Sequence, residues 1–375
     1  MTKPCLSLRN SSDMYNATPY GELSKCRALW LLQIATLLVA FFLSLCVLNL
    51  VPAHANDLQP KKVAYFEKGS FWLFKQSYAS LQQALKQRPA FQYSYPDSLH
   101  KSPGWDTDDA RMDAEARALL AGDADIIIAA GTSAVKALLR VTKNEKPIIG
   151  IALADPVAAG LLSQEGHSPV PSFTAEVFPN RWRSMYRVFH EVVGFKRLGI
   201  MYPKGAEGRV YAAVDDAHAV AQEQHFEIIE SIIPDENTAS CRAGIEELHK
   251  KGADSFFISP LVCFDWSEND PSDLLKLIHG YNMPTFARDG SLFVQGGALM
   301  GFSTWDFSPS ANRLADAIEK ICQGASPNSI QMIIPPEPLI AINLQSAVEL
   351  GLTFPFDVLL VADEIYEKTT VPHME

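Results

Sequence analysis

A chain of 375 residues, 47% hydrophobic and 20% charged, is long enough for two domains of ordinary size. Its formal net charge of −11 becomes −13 once the first 55 residues, with four Lys/Arg against two Asp/Glu, are set aside. Such an acidic body lacks the basic footprint that nucleic acid or anionic lipid demands, so the charge argues against both as partners.

The first element in chain order is an apolar run over 28–51, followed at once by Ala53-His54-Ala55. Small residues in an Ala-x-Ala arrangement just past a greasy segment are what a signal peptidase cuts. Residues 1–55 therefore read as a signal peptide or N-terminal membrane segment. The remainder reads as periplasmic, tethered to the inner membrane by 28–51 if that run is retained. No second run of that length follows, so the body reads as soluble.

From residue 61 onward, short β-rich runs alternate with amphipathic stretches of helical length, the pattern of a parallel sheet covered by helices. A strand is predicted over 63–66, a helix over 71–87 and a strand over 91–95. A charged helix over 106–120 ends at Gly122. The DIIIAA run over 125–130 is a central strand, because continuous branched apolar residues suit burial on both faces. A helix over 132–140, a strand over 147–153 and a short helix over 156–162 follow.

The Pro/Ser/Gly-rich stretch 166–172 marks a boundary, after which the rhythm restarts. Strands over 198–202, 226–233 and 255–259 alternate with helices over 180–193, 210–224, 238–250 and 271–279. The tail adds strand-like runs over 284–287, 297–302 and 339–343, a helix over 309–322, and a helix from Gln345. The expected architecture is α/β with two lobes, each a parallel sheet flanked by helices, joined by hinge crossovers. Lobe 1 is expected to comprise 58–172 plus 284–334, and lobe 2 173–283 plus 335–375.

Three of the six cysteines lie in or before the apolar run, leaving Cys241, Cys263 and Cys322. Their number and spacing allow at most one bridge, and three partly buried thiols is the simpler expectation. No Gly-x-Ser-x-Gly elbow, His-Glu-x-x-His, phosphate loop or dinucleotide fingerprint occurs, so neither catalysis nor a cofactor or metal is expected.

Candidate binding residues cluster after predicted strands. Gly131-Thr132-Ser133 closes the DIIIAA strand and opens a helix. The hydroxyls of Thr132 and Ser133 and the free N–H groups there either hold a carboxylate or cap the helix. Asp155, before Pro156, ends the next strand at the same rim, as a cap or a ligand contact. Glu67 directly follows the first strand. Trp305 and Phe307, like Phe71, Trp72 and Phe74, offer rings that stack on flat ligands or pack the core.

Three stretches in order carry a resemblance. They are Ala130-Gly131-Thr132-Ser133-Ala134, then Pro147-Ile148-Ile149-Gly150 through Asp155-Pro156-Val157-Ala158-Ala159-Gly160-Leu161, then Ile342-Asn343-Leu344-Gln345-Ser346-Ala347 through Gly351-Leu352-Thr353-Phe354-Pro355. From about Val63 to the C-terminus the chain resembles the ABC transporter substrate-binding proteins of the tryptophan and aromatic amino acid-binding type, with a type I periplasmic-binding fold.

The resemblance implies two lobes closing over a small organic ligand, an amino acid or related compound, and delivering it to an ABC transporter permease. The protein is then expected to act as a monomer. It further implies that Glu207 meets a ligand ammonium, that Asp289 at a strand end faces the ligand, and that Arg209, a departure from the family pattern, turns the preference toward an anion. A surface salt bridge between Glu207 and Arg209 is the alternative. Another use of the same fold, a membrane-anchored ligand-sensing domain, is the alternative at the level of function.

Overall fold

The computed structural model describes residues 59–372 apart from 289, 303–305 and 336–338. The expected N-terminal segment and the site candidates Asp289 and Trp305 lie outside the described residues. Among the described residues no helix is long and apolar enough to cross a membrane.

Among the described residues, two seven-stranded sheets organise the fold. The first contains β1 (Lys61–Glu67), β2 (Tyr93–Ser94), β3 (His100–Lys101), β4 (Ile126–Ala130), β5 (Ile148–Ile151), β6 (Phe173–Val177) and β12 (Met332–Ile333). The second contains β7 (Arg197–Pro203), β8 (Glu227–Ile233), β9 (Ser255–Ile258), β10 (Thr285–Ala287), β11 (Met300–Phe302), β13 (Ile340–Asn343) and β14 (Ala362–Tyr366). Every described pairing is parallel except β11 with β13.

β4 shows why the sheet forms where it does: all five of its residues, Ile-Ile-Ile-Ala-Ala, are buried. Helices cover both faces, as the apolar composition of the strand requires.

Strand order places the crevices. The first sheet runs β12-β6-β5-β4-β1-β2, so the chain moves one way from β1 to β2 and the other way from β4 to β5. The reversal falls between β1 and β4, where Glu67 pairs with Ala130. The second sheet runs β14-β13-β11-β10-β9-β7-β8 and reverses between β7 and β9. In open α/β sheets, ligands bind beyond the carboxyl ends of strands at such reversals.

The chain passes between sheets three times, and two crossings differ from expectation. β6 (Phe173–Val177) stays with the first sheet, so the first crossing lies between Val177 and Arg181. β10 and β11 stay with the second sheet, so the return expected at Pro284 comes only after Phe302. The helix Ser308–Cys322 then packs on Trp72–Lys86 in the first lobe. The third crossing lies between Ile333 and Ile340. β10 is buried throughout, so its sequence reads the same in either sheet.

Local differences have local causes. The predicted helix over 210–224 is two helices, Ala206–Tyr211 and Val214–Gln224, separated at Ala213, which adopts a left-handed conformation with φ 47°. The predicted helix at 156–162 is a set of turns, its start pinned where Asp155 Oδ1 accepts from the N–H groups of Val157 and Ala158 at 3.0 and 2.9 Å. Cys241 and Cys263 form a disulfide with Cα atoms 6.6 Å apart, correcting the expectation of three thiols; Cys322 is free.

Candidate functional site

The carboxyl ends of β1, β4 and β5 face those of β7, β8, β9 and β10 across a cleft with about 580 Å³ of free space, its open mouth included. From the first lobe come Lys68, Phe71, Phe74, Trp105, Gly131, Thr132, Ser133 and Ala152. From the second come Tyr211, Glu236, Pro260, Val262 and Arg288.

Close packing shapes the first-lobe wall. Gly131 adopts φ 79° and ψ 159°, and a Cβ there would sit 2.6 Å from Phe74 Cζ. Only glycine occupies that backbone region without strain and lets the ring approach. Phe74 meets Phe71 edge-on, with ring centroids 5.4 Å apart, and Trp105 at 6.3 Å. The Trp105 indole N–H donates to the Ser70 carbonyl at 3.1 Å, and its ring covers Gly69, where a Cβ would lie 2.7 Å from ring carbons. These rings give the cleft an aromatic side.

Thr132 opens the helix Thr132–Val141, is 3% exposed, and its Oγ1 has no hydrogen-bond partner among the described residues. A buried hydroxyl left unpaired is costly, and here it stands in the cleft at a helix N-terminus where an anionic group is favoured. Ser133 instead reaches across: its Oγ lies 3.3 Å from Glu207 Oε2 and 3.0 Å from the Tyr211 hydroxyl. Lys136 Nζ donates to Glu207 Oε1 at 3.1 Å.

Helical spacing explains this latch. Ser133 and Lys136 are three apart and Glu207 and Tyr211 four apart, so each pair presents one face to the other lobe. Further contacts close the lobes nearby. The Trp72 N–H donates to Asp265 Oδ2 at 3.3 Å, and Ser70 and Lys75 both bond Glu268 Oε1, at 3.0 and 3.3 Å.

The remaining candidates lie elsewhere. Arg209 is turned away from the cleft and binds Asp215 at 2.7 Å, Glu230 at 3.3 Å and the Tyr202 hydroxyl at 3.2 Å. Two residues from Glu207, it occupies a different side of the short helix and does not line the cleft, and among the described residues no Glu207–Arg209 ion pair forms. Asp155 lines a neighbouring crevice with Arg183 and Asp216, and burial raises its pKa above the usual carboxylate range.

Glu67 does not line the cleft. It is buried behind it, accepting from the Tyr65 hydroxyl at 2.7 Å, and burial raises its pKa. A carboxyl whose folded pKa is raised is a liability at neutral pH that disappears as pH falls through that pKa. Glu67→Gln, which keeps an acceptor for Tyr65, is expected to raise the melting temperature at pH 7. The gain should shrink toward pH 4 in parallel unfolding curves, and ligand affinity should stay unchanged.

Sequence reasoning passed over Lys68, Trp105, Tyr211 and Glu236. Trp105 carried a signal, an aromatic residue directly after Pro103-Gly104 in a loop. Arg288, buried with its guanidinium 4.8 Å from the Trp182 ring centroid, also lines the cleft.

Comparison with known proteins adds to this geometry. The sequence profile of the family described as ABC transporter substrate binding protein matches residues 101–366. No curated protein sequence matches the chain. Among solved structures, a conserved domain protein from Vibrio cholerae O1 biovar El Tor superposes with a TM-score of 0.68 at 20% identity, covering 82% of this chain and 100% of that one. An ABC domain from Streptococcus pneumoniae in complex with L-Trp gives 0.66 at 17%, covering 82% and 99%. An ABC transporter solute binding protein from Agrobacterium vitis with bound allitol gives 0.55 at 13%, covering 78% and 99%.

Proposed function

This chain belongs to the family of ABC transporter substrate binding proteins and has the type I periplasmic-binding fold; on that premise we propose that it is the exported solute-binding component of an ABC importer. It captures a small organic ligand, an amino acid or a related compound, between its lobes and hands it to a membrane permease. The work is conformational: groups from both lobes desolvate the ligand together, and the closed form is what the permease recognises.

The observation that carries this reading is Thr132. Its unpartnered buried hydroxyl, at a helix N-terminus inside a cleft walled by both sheets, is supplied with everything a ligand carboxylate needs except the carboxylate. The latch of Lys136, Ser133, Glu207 and Tyr211 supports closure over that point. The L-Trp held by the pneumococcal neighbour supports an amino acid as the ligand class. The Cys241–Cys263 disulfide supports export, because such links persist in oxidising compartments.

A thermal-shift screen of amino acids, small carboxylates, amines and polyols tests the reading, since a ligand that binds only the folded state raises its melting temperature. For a carboxylate-bearing ligand found in this way, Thr132→Val is expected to weaken binding roughly tenfold by calorimetry, the worth of one hydrogen bond to a charged group. The same substitution should leave the ligand-free melting temperature unchanged or raised, because it removes an unpaired buried hydroxyl. Undiminished affinity would remove Thr132 from the site.

A further inference from the structure

Glu207, the expected partner of a ligand ammonium, is already engaged by Lys136 and Ser133. Among the described residues that line the cleft, the one carboxylate is Glu236. It sits after β8, just before the helix Thr238–Lys250, at the second-lobe wall. Its Oε2 accepts from the Val262 N–H at 2.9 Å, and Oε1 has no hydrogen bond among the described residues.

The surroundings leave that oxygen facing a largely apolar space. Burial raises the Glu236 pKa, and Lys68, entering from the first lobe, opposes the rise from a distance without an ion pair between them among the described residues. Phe71, Phe74 and Trp105 line the first-lobe side of the same cavity. A partly desolvated carboxylate is stabilised by a cation brought to it, and flat rings accept an apolar body beside that cation.

We propose that Glu236 is the residue that selects the ligand by charge: its free oxygen receives an ammonium group, and the cleft therefore takes amine-bearing compounds with a flat apolar body. The proposal rests on the solute-binding reading above and names its cationic subsite. Together with the helix N-terminus at Thr132, it makes the cleft bipolar, suited to a zwitterion.

Calorimetry on the full-length mature protein and on Glu236→Gln tests this with three probes: L-phenylalanine, phenethylamine, which lacks the carboxylate, and 3-phenylpropionate, which lacks the amine. Gln keeps an acceptor for the Val262 N–H, and an unchanged melting temperature without ligand shows that the fold is intact. The variant is expected to bind L-phenylalanine and phenethylamine about 10–100-fold more weakly, the range of a charge-assisted hydrogen bond. Its affinity for 3-phenylpropionate should hold or improve.

Equal losses for all three probes, or no loss for the amines, overturns the assignment of Glu236. If the wild type binds allitol or another neutral polyol but no amine, solute binding stands and the cationic subsite falls. If it binds nothing in a panel of amino acids, amines, carboxylates and polyols, the solute-binding reading falls with it.

Discussion

Gly131→Ala is expected to lower the melting temperature by several degrees and to abolish ligand binding. Gly131 holds φ 79° and ψ 159°, a region that L-residues enter at a cost of about 1–3 kcal/mol. The added methyl would also lie 2.6 Å from Phe74 Cζ, so the ring must move. Phe74 is buried against Phe71 and Trp105 and has little room to do so. Relief comes either from displacing the aromatic wall or from shifting the start of the helix that carries Thr132 and Ser133, and both changes damage the cleft. Gly194→Ala is the matched control: φ is 70° there, but nothing lies within 4 Å of the added carbon. It should cost about 1 kcal/mol and leave binding alone. Equal damage from the two substitutions in thermal unfolding and ligand calorimetry would show that the approach of Phe74 does not matter.

The part of this site made by short-range pattern was legible in the sequence. A buried DIIIAA strand followed by Gly-Thr-Ser reads as a strand, a tight turn and a helix N-terminus, and the structure places Thr132 and Ser133 there. The lobes were legible as a repeating α/β rhythm, but their membership was not. β6 (Phe-Thr-Ala-Glu-Val) and β10 (Thr-Phe-Ala) are short and largely buried, so the burial pattern addresses neither to one sheet; long-range pairing does so, β6 against β5 and β10 against β9.

Long-range features were the least visible. Glu207 and Arg209 stand two apart in sequence, yet one reaches Lys136 in the other lobe and the other turns to Asp215 and Glu230. Their divergence depends on the six-residue helix Ala206–Tyr211, most of which lies before the helix predicted over 210–224. Glu236 hides in the polar run Pro234-Asp235-Glu236-Asn237, which reads as a turn and helix cap. The Asn237 side chain does cap, accepting from the Ser240 N–H at 2.9 Å, and it is the fold of the next loop that brings the Val262 N–H to Glu236.

Removing the covalent link that fixes that loop has the second large expected effect. Cys241 and Cys263, 22 residues apart, close a loop whose tethering constrains the unfolded chain by about 3 kcal/mol in the chain-entropy account. A Cys241→Ser, Cys263→Ser double variant should therefore melt several degrees lower than wild type. Reductant should lower the wild-type melting temperature toward the variant's and leave the variant unmoved. Cys322→Ser keeps the disulfide and should retain the full response to reductant. Both bridged cysteines are buried, so the native disulfide should resist reductant until the protein opens, and the effect should grow with time spent near the melting temperature. The bridge also ties the helix Thr238–Lys250 to the turn Val262–Phe264, whose first N–H holds Glu236. Ligand affinity in the double variant should accordingly fall only a few-fold, because the hydrogen bond survives and only its anchoring loosens. A wild-type melting temperature indifferent to reductant even after prolonged heating would mean that the two thiols are not joined. The support the bridge gives to export would then vanish along with the stability argument.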